Sequence, residues 1–180
     1  MRSRYKIVEE GTYFVTSTLL DWVDLFSDEK FANIIIEELK FRLAKKELQL
    51  YAYVIMPDHF HLIISSNDIP GVMRRIKSYT AKRIIQELVS NTNESNTILK
   101  LFKKNKLHSK PDSKYQVWQE GYHPKLIMTD DEFGQKIYYI HNNPVKKGFV
   151  KLPEEWKYSS YRNYYGFDEL AIEFELPYSY

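Results

Sequence analysis

The chain contains no cysteine, which excludes a disulfide framework, a thiol nucleophile and a thiolate metal site. Six glycines and seven prolines among 180 residues are too few for a collagenous or low-complexity chain. No run of about 18 apolar residues occurs, so no membrane-spanning helix is expected. Met1 to Glu10 mixes basic and acidic residues without an apolar stretch and does not read as a signal peptide. Charge of one sign is also missing overall, since 26 Lys and Arg face 24 Asp and Glu for a formal net charge of +2. Aromatic residues, by contrast, make up 16%, which argues against disorder. At this length folding buries roughly 70% of the unfolded chain's surface. These limits predict a cytoplasmic protein with one domain over 1–180, its core at about 11–150 and a C-terminal tail at 151–180.

The net charge hides a strong asymmetry. Between Gly71 and Lys114 stand eleven basic residues: Arg74, Arg75, Lys77, Lys82, Arg83, Lys100, Lys103, Lys104, Lys106, Lys110 and Lys114. Only Glu87, Glu94 and Asp112 oppose them, so this stretch carries +8 and the remainder −6. Such segregation marks either a solvated helix face with a basic loop or an electrostatic footprint for a polyanion.

Hydrophobic periodicity predicts the element order. Thr12 to Leu20 is β-branched and aromatic, a strand. Ser27 and Asp28 offer caps for a helix to Lys46, with Phe31, Ile34, Ile35, Leu39 and Leu43 at helical spacing. Leu48 to Met56 and His59 to Ser66 read as strands of a hairpin broken at Pro57-Asp58. A second helix is expected from Pro70 to Ser90, then a polar turn at Asn91 to Asn96 and a basic loop or short helix at Lys100 to Lys114. Gln116 to Met128 reads as one broken strand or two short ones, interrupted near Gly121 and Pro124. Thr129-Asp130-Asp131-Glu132 forms a capping box for a helix ending at Pro144. Strand, helix, strand, strand, helix, strand is the α+β, ferredoxin-like split βαβ order with an antiparallel sheet, here followed by an added helix.

His59 and His61 lie two apart on one predicted strand, so both imidazoles share a face with Cα atoms about 6.6 Å apart. Both rings can converge on one metal ion, while Phe60 points into the core. Two ligands leave open positions, as a catalytic metal requires. The spacing equally describes two exposed strand histidines. On the last helix, at about 100° per residue, Gln135, Tyr139 and Asn143 form one stripe and Phe133, Ile137 and Ile140 another. Tyr139 thus sits off the core stripe, where a phenol can attack an electrophile and an Asn carbonyl can complete a metal's shell. Tyr138 is expected to pack against the sheet, and His141 to face away from Tyr139.

Met56-Pro57-Asp58-His59-Phe60-His61-Leu62-Ile63 resembles the HUH motif (His, hydrophobic, His) of single-tyrosine transposases. Tyr139-Ile140-His141-Asn142-Asn143-Pro144-Val145-Lys146-Lys147-Gly148 resembles the nucleophile helix and exit turn of the REP-associated branch of these IS200-like enzymes. Lys77-Ser78-Tyr79-Thr80-Ala81-Lys82, Val117-Trp118-Gln119 and Trp156-Lys157-Tyr158-Ser159-Ser160-Tyr161 are similar to three further stretches. The matches run in family order over most of the chain, from about Gly11 to Tyr165.

The resemblance implies a DNA transposase that cleaves and rejoins single-stranded or hairpin DNA through a 5′-phosphotyrosine, with divalent Mg²⁺ or Mn²⁺. His59, His61 and Asn143 take the metal-ligand positions and Tyr139 the nucleophile position. Tyr139 is chosen over Tyr138 because it stands four residues before Asn143-Pro144. Arg74, Arg75, Lys77, Lys82, Arg83, Lys100, Lys103 and Lys104 are expected to contact phosphates. A monomer is favoured over the helix-exchanging dimers outside this branch. The competing expectations are a non-catalytic or domesticated single-stranded nucleic-acid-binding protein, and a metal-dependent hydrolase using water.

Overall fold

The computed structural model describes residues 10–90, 95–104 and 114–176. In chain order these form β1 (Thr12–Thr18), α1 (Glu29–Ala44), β2 (Gln49–Ile55), β3 (His59–Ser65), α2 (Ile69–Ser90), α3 (Ser95–Lys104), β4 (Lys125–Ile127), α4 (Asp130–Lys146) and α5 (Tyr161–Tyr164). The sheet order is β2-β3-β1-β4, with every neighbouring pair antiparallel. This is the ferredoxin-like arrangement expected from the element order.

Strand alternation gives the sheet two different faces. Tyr13 and Val15 of β1, Leu50, Tyr53 and Ile55 of β2, and Phe60, Leu62 and Ile64 of β3 point to one side. There they meet Ile35 and Leu39 of α1 and Val72, Met73 and Ile76 of α2 in the main core. A bulge between Leu50 and Ala52 moves β2 by one residue, which is why Leu50 and Tyr53 share this face. The other side carries Phe14, Ala52, Val54, Met56 and Ile63, packed against Ile137 and Ile140 of α4. By the same alternation Thr16, His59 and His61 belong to this second face.

Four expectations change in detail. Gln116 to Met128 contributes one three-residue strand, β4, and a single bridge from Trp118 to Leu19. Between them Gly121 (φ 78°) and His123 (φ 41°) take left-handed backbone and turn the chain. Of the loop and short helix open for the basic stretch, a helix forms: α3 starts at Ser95, inside the expected polar turn, and ends at Lys104; Lys106 and Lys110, like Asn91 to Glu94, lie outside the described residues.

Pro144 does not end the last helix: α4 runs through it to Lys146. A proline takes away its own N–H and crowds the carbonyl four residues back, but its fixed φ is itself helical, so the last turn can continue through it. The chain leaves the helix where Gly148 adopts φ 76°, with Gly148 N–H donating to Val145 O and Phe149 N–H to Pro144 O, a glycine-based C-terminal cap. At the other end Thr129 Oγ1 accepts from Glu132 N–H at 3.2 Å. The Glu132 carboxylate reaches one residue further back than a capping box requires, to Met128 N–H at 2.8 Å. Asp130, Asp131 and Glu132 in the first turn and Lys146 in the last match the helix dipole.

The tail closes the outer edge of β2. Ser159 bridges Val54, Ser160 Oγ accepts from Tyr53 N–H at 3.0 Å, and Trp156 Nε1 donates to Ile55 O at 2.9 Å. Tyr164 Oη donates to Tyr51 O at 2.8 Å. These bonds occupy main-chain groups that an open strand edge would expose.

Candidate active site

Each histidine of β3 is held by a different neighbour. Asp58, the residue before the strand, contacts His59 Nδ1 through its carboxylate. Thr16 stands opposite His61 in the β1–β3 register, and its Oγ1 lies 2.7 Å from His61 Nδ1. Both rings are therefore anchored through Nδ1, which leaves the Nε2 atoms to bind. The two ring centroids are 4.7 Å apart. Phe14 stacks on His61 with centroids 5.1 Å apart and planes at 26°. Burial first, then the nearby His59 and Lys136, push the His61 imidazole down to about 3, so it is neutral, the form that binds metals.

Helix α4 sets Tyr139 beside His61. Its ring centroid is 5.3 Å from that of His61 and 5.8 Å from that of Phe14. Tyr139 remains 37% exposed. The structure thus brings Tyr139 beside the histidines within one chain. Tyr138 is corrected: it is 62% exposed and points away from the sheet, because the core stripe of α4 is already filled by Ile137, Ile140 and Pro144. His141 faces away from Tyr139 as expected. Its Nε2 lies 2.9 Å from Ser160 Oγ, and burial pushes its imidazole down to about 4.

Asn143, one turn after Tyr139, is buried. Its Oδ1 and His61 Nε2 are both buried without a hydrogen-bond partner, a costly state for either atom unless something binds it. Two imidazole nitrogens and an amide oxygen are ligand types for a divalent transition-metal cation, with further positions left to water or phosphate oxygen. Among the described residues no group of three or more His, Cys, Asp or Glu that could hold a metal occurs.

The basic residues of α2 and α3 lie elsewhere. Helix α2 packs on the main-core face, across the sheet from His59 and His61. Arg75 is engaged by Glu47 at 2.9 Å and by Asp68 at 3.6 Å. Lys77 donates to Gln119 O at 2.7 Å and to Gly121 O, and Arg83 Nη1 donates to Tyr79 Oη at 3.3 Å. Arg74, Lys82, Lys100, Lys103 and Lys104 are exposed. The cations nearest Tyr139 are Lys136 and Lys146 of its own helix, which the charge count passed over because it weighed stretches of sequence and not faces. Thr16 and Phe14 were missed as well. Their signal is the strand register, which only pairing supplies.

Residues 23–99 match the family described as "Transposase IS200 like". A Haemophilus influenzae protein assigned as a REP-associated tyrosine transposase is 26% identical over 160 residues, covering 88% of this chain and 84% of that one. The solved structure of a REP-associated tyrosine transposase bound to a REP hairpin superimposes with a TM-score of 0.66 at 17% identity, over 100% of this chain and 98% of that one. It shows the same fold. The family match is to the broader IS200-like group, the curated relative is of the REP-associated kind, and the solved structure shares the fold.

Proposed function

We propose that this chain, as a relative of the REP-associated tyrosine transposases, is a DNA strand transferase that cleaves and rejoins hairpin or single-stranded DNA through Tyr139. The observation that carries the reading is the Tyr139 ring lying 5.3 Å from His61, with both histidines anchored through Nδ1. A pure binding module has no use for that arrangement.

His59, His61 and Asn143 are the residues that would hold a divalent metal. When bound, that ion supplies Lewis-acid polarisation of the scissile phosphate and neutralises charge in the transition state. Asp58 and Thr16 fix the imidazole orientations. Phe14 and α4 wall one side of the site and limit water. Tyr139 is the nucleophile: its oxygen bonds to phosphorus, the P–O3′ bond breaks, and the phenolic proton ends on the departing 3′-oxygen. The product is a 5′-phosphotyrosine and a free 3′-OH, so a later 3′-OH reverses the step and joins strands. Exposed Arg74, Lys82, Lys100, Lys103 and Lys104 contact phosphates of the same DNA away from the cleavage point. A hairpin with a flanking single strand has the two parts this division needs.

The test is incubation with end-labelled hairpin DNA and Mn²⁺, followed by denaturing electrophoresis. A denaturation-resistant protein–DNA band is expected, and its loss in the His59→Ala/His61→Ala double variant. Hairpin binding without any such band identifies a non-catalytic binder, and cleaved DNA without the band identifies a hydrolase.

A further inference from the structure

The tyrosine is bracketed by two ammonium groups on its own helix. Lys136 Nζ is 5.6 Å from the Tyr139 ring centroid and 4.7 Å from that of Phe14. Lys146 Nζ is 6.0 Å from the Tyr139 centroid and 5.6 Å from that of Tyr138. The cause is helical geometry. Lys136, Tyr139, Asn143 and Lys146 follow one another at intervals of three, four and three residues, which confines them to a stripe about 80° wide. Ile137, Ile140 and Pro144 form the neighbouring buried stripe, and Asn143 is buried beside it while Tyr139 and Lys146 are exposed. Two cations one turn before and two turns after a phenol lie within reach of whatever charge appears at it.

We propose that Lys136 and Lys146 form a clamp that stabilises the negative charge shared between the Tyr139 oxygen and the scissile phosphate. The proposal rests on the strand-transferase reading above and adds two catalytic groups to it. As Tyr139 attacks, its oxygen loses its proton and the phosphoryl group passes through a state richer in negative charge. A fixed positive charge at that point lowers the barrier without reorganisation of solvent. Lys136 is suited to this because its ammonium lies against Phe14 and is partly desolvated: burial first, then the nearby Lys125, lower its pKa, which Glu132 opposes. A charge less well hydrated gains more from an incoming anion. Lys146 is more exposed and reaches the ring from the opposite end. In the return step the same pair favours departure of Tyr139 as phenolate when a 3′-oxygen attacks, so cleavage and joining should be affected alike.

The experiment is single-turnover adduct formation on labelled hairpin DNA with Mn²⁺ and protein in excess, alongside equilibrium binding of the same DNA measured in a Tyr139→Phe background. The variants are Lys136→Gln, Lys146→Gln, both together, and the corresponding Arg pair, with Lys40→Gln on the far helix α1 as a surface control. Expected is a fall in the adduct rate constant of about 10-fold for each Gln change and about 100-fold for the pair, with DNA affinity within about three-fold. The Arg pair should recover most of the rate, because charge and not the lysine's shape is what acts. A double Gln variant that reacts at the wild-type rate overturns the clamp and leaves the parent reading standing. A rate loss accounted for by lost DNA affinity, or matched by Lys40→Gln, also overturns it. No adduct from the unaltered chain overturns the parent reading and the clamp together.

Discussion

The two faces of the sheet are built from the same strands and behave differently. On the face under α1 and α2, Phe60, Leu62 and Ile64 are wholly buried among aliphatic and aromatic neighbours. On the face under α4, the intervening residues are His59, His61 and Ile63, and two buried polar atoms there, His61 Nε2 and Asn143 Oδ1, lack partners. A single-residue alternation along β3 therefore separates the aliphatic and aromatic core from the face that carries both histidines. Unpartnered buried polar atoms are not confined to one face, since Ser17 Oγ and Tyr53 Oη lie on the α1/α2 side; what distinguishes the α4 side is that its polar groups are two imidazoles and an amide. On that side the lone pairs of His61 Nε2 and Asn143 Oδ1 are left open, as the proposed metal ligation requires.

Substitutions at adjacent residues of β3 should expose this difference most strongly. Phe60→Ala removes a fully buried ring set edge-on to Trp118 at 5.3 Å and should cost about 3–5 kcal/mol in urea unfolding. His61→Ala, one residue on, should cost about 1–2 kcal/mol, since its ring already leaves Nε2 unsatisfied; it should nevertheless abolish the DNA adduct. Equal destabilisation by both would erase the distinction between the faces.

The strap over β2 comes next. Ser160→Ala removes the hydroxyl that accepts from Tyr53 N–H and lies 2.9 Å from His141 Nε2, and a loss of about 1–3 kcal/mol is expected by the same assay. His141 also gives a pH dependence. Its folded pKa of about 4 lies below the ordinary value of 6.5, so below 6.5 the unfolded chain binds the extra proton. Its contribution is complete above pH 6.5 and declines toward pH 4 by at most about 1.4 kcal/mol per pH unit. Comparing pH 7 with pH 5, His141→Gln should lose less stability than the unaltered chain.

The smallest effect belongs to the outer surface. Lys82→Gln should change stability by less than about 0.5 kcal/mol. It should lower DNA affinity and reduce the slope of log affinity against log salt by about 0.7, the value for one single-strand phosphate contact. An unchanged slope would remove Lys82 from the DNA-contacting set.

Much of the fold was legible because alternation and helical spacing are local. β1, α1, β2, β3 and α2 follow from such patterns, and so does the placement of His59 and His61 on one face. The errors arise where tertiary context decides. Pro144 reads as a stop, yet the helix continues to the glycine that can adopt positive φ. Tyr138 looks like a packing residue until Ile137 and Ile140 are seen to fill that contact. Arg75 belongs to a basic stretch in sequence and to an ion-pair network with Glu47 and Asp68 in space. Lys136 and Lys146 were legible in principle, since their three-four-three spacing with Tyr139 and Asn143 is as local as any heptad. A count of charge along the chain does not resolve helix faces.

The central claim is that Tyr139, set beside His61 on the reactive face, forms the bond to DNA, and that its exposed neighbour Tyr138 does not. Proteolysis of the protein–DNA adduct followed by mass spectrometry of the nucleotide-bearing peptide tests it directly. The account predicts the nucleotide on Tyr139, no adduct from Tyr139→Phe, and retained adduct from Tyr138→Phe. A nucleotide mapped to Tyr138 would contradict it.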